Sequence, residues 1–154
     1  MLVTILIGVA VVLFVFGAVA ARRPSAYHVQ RPLEIAAPAD RVFGVLNDLN
    51  QFARVLVLFG SPWENGNGTM TIDESVPGRK VRVRLEFVKP MKSTAICVLT
   101  LVDTPTGTVV TWSMDGNHNF IGKAVGMFMN MDDMLGADIE KGLTQLKTVA
   151  EGAR

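Results

Sequence analysis

Beyond position 68 the chain alternates. In 69–75, Met70 and Ile72 take one side, and Thr69, Thr71 and Asp73 the other. In 80–88, Val81, Val83, Leu85 and Phe87 alternate with Lys80, Arg82, Arg84 and Glu86. Cys97, Leu99 and Leu101 are in phase across 94–102, as are Val110, Trp112 and Met114 across 108–114. Successive side chains of a strand point to opposite faces, so each segment predicts a strand with one core face and one solvent face. Val76-Pro77-Gly78, residues 89–92 with Pro90, and residues 103–107 with Pro105 and Gly107 supply turn chemistry between them. Connections this short leave no room for crossovers, so the four strands predict an antiparallel meander.

The period then changes. From position 131 the apolar residues Met131, Met134, Leu135, Ile139, Leu143, Leu146 and Val149 recur three or four apart. That spacing predicts a long amphipathic helix, with Asp138, Glu140, Lys141 and Lys147 mostly on its opposite side. Its apolar stripe needs a partner surface, and the core face of the meander is one. The lead-in, 120–131, is apolar nearly all round and carries Met127, Met129 and Met131. Unbranched thioethers fill irregular gaps, and the lead-in reads as core packing ahead of pocket lining.

Upstream, 27–35 predicts a strand, and Pro32 within it requires an edge or a bulge because proline cannot donate to a ladder. Pro38 and Asp40 suit the first turn of a helix carrying Val42, Phe43, Val45 and Leu46, broken near 47–50. The run RVLVLF at 54–59 is either a helix end or a buried strand, and 61–68 reads as turn.

Residues 2–21 are uncharged and match the roughly 20 residues that cross a bilayer as a helix. They raise the mean hydropathy to +0.34. Ala18-Val19-Ala20 resembles a signal-peptidase site, which would favour export. The lack of Lys or Arg ahead of the run, and Arg22 and Arg23 directly after it, favour an uncleaved single-pass anchor with the following domain on the cytoplasmic side. The expected organisation is an anchor or signal segment at 1–21, a linker at 22–26, and one domain at 27–154.

The formal charge of +1 over 154 residues argues against a nucleic-acid binder. Cys97, in an alternating apolar segment, reads as a small core residue. His118, Asp115, Asp132 and Asp133 are the residues that could titrate or coordinate. Their spacing diagnoses nothing: Asp115-Gly116-Asn117 suits a turn, and Asp132 or Asp133 a helix cap. No catalytic residue, metal site or cofactor is therefore assigned. His28 falls on the exposed side of its strand. Arg79, Lys80, Arg82, Arg84, Lys89 and Lys92 are a local basic excess that would suit anionic headgroups, diluted by Asp73, Glu74 and Glu86 into an ordinary solvated face. The inward positions Val83, Leu85, Phe87, Leu99, Val110, Trp112, Met114, Phe128 and Met131 are the candidate ligand contacts; they offer area without a reactive group.

Three segments, IAAPADRVFGVLND at 35–48, VRVRLEFVKP at 81–90 and VTWSMDGNHNFIGKAVGMFMNMDDMLGADIEKGLTQLK at 110–147, resemble the SRPBCC superfamily of START-like and pollen-allergen-like helix-grip proteins and polyketide cyclases. Ser61-Pro62-Trp63 and Trp112-Ser113-Met114 resemble words of its membrane-tethered bacterial members. The resemblance implies an α+β helix-grip fold, an antiparallel sheet around the C-terminal helix with an apolar cavity between. Relatives have room for two more strands after the SPW word, where only 64–68 intervene here, so a shortened open sheet of about five strands is expected, first beside last. RVLVLF is not expected to supply a substitute strand. The implied function is a membrane-anchored domain that binds a hydrophobic small molecule or lipid without turnover. A polyketide cyclase or dehydratase-type enzyme, and a shortened non-functional member, are the alternatives.

Overall fold

The computed structural model describes residues 1–58, 61–62, 68–88, 92–117, 123–124 and 126–152. Helix α1 (Leu2–Arg22) precedes strand β1 (Ala26–Ile35), and two short helices follow, α2 (Ala39–Leu46) and α3 (Leu49–Val55). Asp48 caps α3 by accepting the Asn50 N–H, which turns the chain between the two helices. Two-residue strands β2 (Val57–Leu58) and β3 (Ser61–Pro62) pair with each other, apart from the main sheet. The RVLVLF run thus divides into a helix end and a minor strand, and adds nothing to the main sheet.

The meander is β4 (Gly68–Val76), β5 (Lys80–Phe87), β6 (Ser93–Thr104) and β7 (Gly107–Asn117). With β1 it makes a five-stranded antiparallel sheet in the order β1-β7-β6-β5-β4, first beside last as expected. Pro32 sits opposite Thr111 on the edge strand, where its missing N–H costs no ladder bond. The expected turn at Asp115-Gly116-Asn117 is instead strand: Ala26, Tyr27 and His28 pair with these residues and prolong β7.

Helix α4 (Met131–Gly152) packs along β1 and β7 and against α2, α3 and β2. Its cap is Asn130, whose side chain accepts the Asp132 N–H; Asp132 and Asp133 occupy the first turn, where the helix dipole favours negative charge. Leu135, Ile139, Leu143, Leu146 and Ala150 are buried. So is Asp138, at 3% exposure, which corrects its expected place on the polar side. Helices and β2 flank α4 as well as the sheet, so the buried arc is wider than the apolar stripe. Conversely, Val149 is exposed. At the far end, Glu151 accepts the Ala36 N–H, and Lys147 donates to the Glu34 carbonyl, fixing the helix to the end of β1.

Candidate functional site

The inner face of the sheet is one apolar surface because four strands carry the same alternation in register. Leu85 faces Ala95, Val83 faces Cys97, Leu99 faces Trp112, and Cys97 faces Met114. Val83, Leu85, Leu99, Val110, Trp112 and Met114 are all fully buried on this face, which brings six of the nine candidate contacts together. Phe87 lies at its margin, partly buried. Phe128 does not join them: it is 78% exposed and stacks on Phe16 of α1, ring centroids 5.7 Å apart. Met129 is also exposed, and Met127 only partly buried, so residues 127–129 of the lead-in are not the core packing their composition suggests. The Met131 side chain, His118 and Trp63 fall outside the described residues.

Trp112 is the centre of the face. Its ring lies 5.5 Å from that of Phe52, tilted by 40°, and Gly142 of α4 lets the helix backbone approach the indole edge. Phe52 escaped the candidate contacts. Its signal was the helical spacing of Leu49, Phe52, Val55 and Leu56 after a capping Asp48, and only the fold shows that this stripe faces Trp112.

The polar groups of the face are few. The Trp112 indole N–H is buried with no acceptor in hydrogen-bonding geometry, and the nearby Cys97 thiol is at best a weak one. Burial pushes the Cys97 thiol up to about 12, the indole N–H pulling the other way. Tyr27 is likewise pushed up to about 12, by burial first and then by Cys97 and Asp115. Both groups are therefore neutral at ordinary pH. Among the described residues, no three His, Cys, Asp or Glu groups converge on a possible metal position.

The titratable candidates lie elsewhere. Asp132 pairs with Arg31 at 3.0 Å on the surface, and Glu140 joins it at 3.3 Å. Asp115 faces outward and meets His28, its cross-strand partner, at 2.5 Å, with Gln30 on the other ring nitrogen at 3.3 Å. The Asp115 hydrogen bond, and then that of Gln30, raise the His28 pKa above 6.5. A raised folded-state value means that stability from this pair is fully present below 6.5 and is lost as pH rises through the folded value. The urea midpoint of the wild type is expected to fall, relative to that of Asp115→Asn, as pH is raised from about 6 to about 9. Both side chains are half exposed, so the difference is small. Parallel midpoint curves for the two proteins would refute it.

Two bases of the strand face, Lys80 and Arg84, are matched by acids. The register shift between Ile72 and Glu74 makes Asp73 the extra residue of a bulge, and Arg84 grips it with two hydrogen bonds while Lys80 meets Glu74 at 3.0 Å. A separate open depression of about 440 Å³, lined by Ala36, Ala37, Pro38, Asp103, Thr104, Thr106 and Gly107, lies at the Ile35 end of β1 and away from the Trp112 face.

The apolar face is not closed on all sides. Helices α2 and α3 reach over β5, β6, β7 and β4, yet Met70, Ile72 and Phe87 remain only partly buried at the β4 margin.

The fold has solved counterparts. CV1439 from Chromobacterium violaceum aligns with a TM-score of 0.59 at 16% identity, over 80% of this chain and 96% of that one. MLL2253 from Mesorhizobium loti gives 0.59 at 13%, over 83% and 99%. The di-domain ARO/CYC StfQ from the steffimycin biosynthetic pathway gives 0.56 at 14%, over 86% of this chain and 53% of that one. At these identities the likeness is one of fold. No curated protein matches the sequence. Residues 26–123 match the family described as polyketide cyclase / dehydrase and lipid transport. With the five-stranded sheet packed on a C-terminal helix, that match places the chain in this family, a ligand-binding helix-grip domain of the SRPBCC superfamily.

Proposed function

We propose that this protein is a membrane-anchored binding domain for a hydrophobic small molecule or lipid, acting without turnover. The observation that carries the reading is the continuous apolar inner face whose margin, Met70, Ile72 and Phe87, stays partly open. An apolar binding site holds its ligand by apolar area and a few placed polar groups. The unmatched Trp112 N–H is one such group for a ligand acceptor. Val83, Leu85, Phe87, Leu99, Val110, Trp112 and Met114 are the proposed contacts. An enzyme of cyclase or dehydratase type has less support, because Asp115 faces outward against His28 and the half-exposed Asp132 is held in an ion pair by Arg31.

Membrane attachment falls to α1, a helix of 21 residues whose most apolar 18-residue stretch has a mean hydropathy of 3.0, long and apolar enough to cross a bilayer. A helix of that length also suits a signal sequence. Arg22 and Arg23 favour an uncleaved anchor with the domain, residues 27–154, on the cytoplasmic side.

The main core contains no residue of α1, so the chain from Arg22 onward keeps it. In that form, Trp63→Phe leaves Trp112 as the sole tryptophan. Titration with a brominated fatty acid is expected to quench its emission saturably. Emission unchanged at saturating acid, with unfolding still cooperative, would overturn the binding reading; loss of cooperative unfolding in the unliganded domain would favour the non-functional alternative.

A further inference from the structure

The lead-in to α4 is attached to α1. Phe128 stacks on Phe16, Arg23 donates to the Gly126 carbonyl at 3.0 Å, and Ala20 between these contacts is fully buried. Residues 126–128 thus run alongside the last two turns of α1. Only Arg23, Pro24 and Ser25 separate α1 from β1, so the domain begins where the apolar helix ends.

Phe16 lies six residues before Arg22, which at the rise of an α-helix is about 9 Å along its axis. If the two arginines mark the membrane surface, Phe16 lies below the headgroups, and so does the ring stacked on it. Phe128 at 78% and Met129 at 50% exposure are among the most exposed large apolar side chains outside α1. In water such exposure is unfavourable. In an acyl layer it is the ordinary state of a lipid-facing residue.

The sheet end nearest α1 also carries the partly buried margin of the apolar face. Ala26 pairs with Asn117, Gly116 with Ala95, Ala95 with Leu85, and Phe87 with both Ser93 and Gly68. These rows place partly buried Phe87 and exposed Val88 toward the membrane side, while Lys80 and Thr104 occupy the remote side. Helix α4 starts on the same side, since Asp132 meets Arg31 whereas Glu151 meets Ala36.

We propose that residues 126–129 form a second membrane contact, with Phe128 and Met129 seated in the acyl region of the leaflet from which α1 emerges, turning the open margin of the apolar face toward the bilayer. This rests on α1 being retained as a membrane anchor. The domain is then docked on the lipid, and an apolar ligand passes between bilayer and sheet without crossing water.

Site-directed fluorescence in lipid nanodiscs tests it on the full chain. The native Cys97 is wholly buried, so an introduced cysteine takes the label. An environment-sensitive dye is placed by Phe14→Cys, Phe128→Cys or Val102→Cys, and the discs contain phosphatidylcholine with a spin label on its acyl chain. Phe128 is mostly exposed and Val102 lies on the outer sheet face, so these substitutions spare the core. The dye at position 128 is expected to be quenched at least half as strongly as that at position 14, and the dye at position 102 hardly at all. Quenching at 14 with position 128 matching 102 overturns the docking and leaves the anchor standing. No quenching at 14 overturns the anchor and the docking with it. Blue-shifted but unquenched emission at 128 overturns the lipid contact in favour of a protein covering that patch.

Discussion

Trp112→Ala is expected to lower the stability of the domain by about 3–5 kcal/mol, the range for deleting a buried aromatic side chain. The residue is 1% exposed and touches three separate elements: Phe52 from α3, Leu99 across the sheet, and the α4 backbone at Gly142. Removing the ring leaves a void among groups that no single movement can refill. For a domain whose total stability is of the order of 5–15 kcal/mol, the loss is a large part of the whole. Trp112→Phe is expected to cost clearly less. It keeps an aromatic ring against Phe52 and removes an indole N–H that is buried without an acceptor. Urea unfolding followed by far-ultraviolet circular dichroism measures both. A loss below about 1 kcal/mol for Trp112→Ala would show that the face is not close-packed around this residue.

The second large effect lies on the facing helix. A Cβ at position 142 would stand 2.7 Å from the Trp112 ring and 2.9 Å from the Val55 carbonyl oxygen. Neither can retreat, one being core and the other backbone. Gly142→Leu is therefore expected to destabilise by about 3 kcal/mol, the upper part of the overpacking range. Gly136, six residues earlier on α4, is the control. The three atoms nearest its Cβ would all belong to the Arg31 guanidinium, the far end of a flexible and partly exposed side chain. Gly136→Ala is expected to be neutral or to stabilise by up to about 1 kcal/mol, because alanine favours a helix interior over glycine. Thermal melts of the two variants check the contrast. Equal losses would mean that α4 does not rest on Trp112 more closely than on Arg31.

Much of the architecture was legible because period is a local property. Alternation at Val81, Val83, Leu85 and Phe87, and its echoes around Cys97 and Trp112, placed the strands within two or three residues of their observed ends. Pro32 called for an edge or a bulge before any partner was known, and β1 is an edge strand. Six of the candidate contacts emerged on one face for the same reason. The misses share another cause. Asp138 is polar in sequence and buried in the fold, since helices and sheet together enclose a wider arc of α4 than its apolar stripe marks. Phe128 and Met129 look like core in a string of apolar residues, yet both are exposed, and the neighbour of Phe128 is α1, more than a hundred positions away. Phe52 and Gly142 meet Trp112 only because α3 and α4 converge on one ring.

The sequence by itself determined the five strands of the main sheet and the long terminal helix to within a few residues, that the meander is antiparallel, and that α1 is long and apolar enough to span a bilayer. Each of these follows from local alternation, turn chemistry or length. Only the tertiary structure decided which apolar residues share a surface, how closely α4 approaches Trp112, that His28 and Asp115 form an outward pair, and that Gly126 and Phe128 lie against α1. Those are contacts between residues far apart in the chain, and they depend on how the elements pack, which no local period encodes.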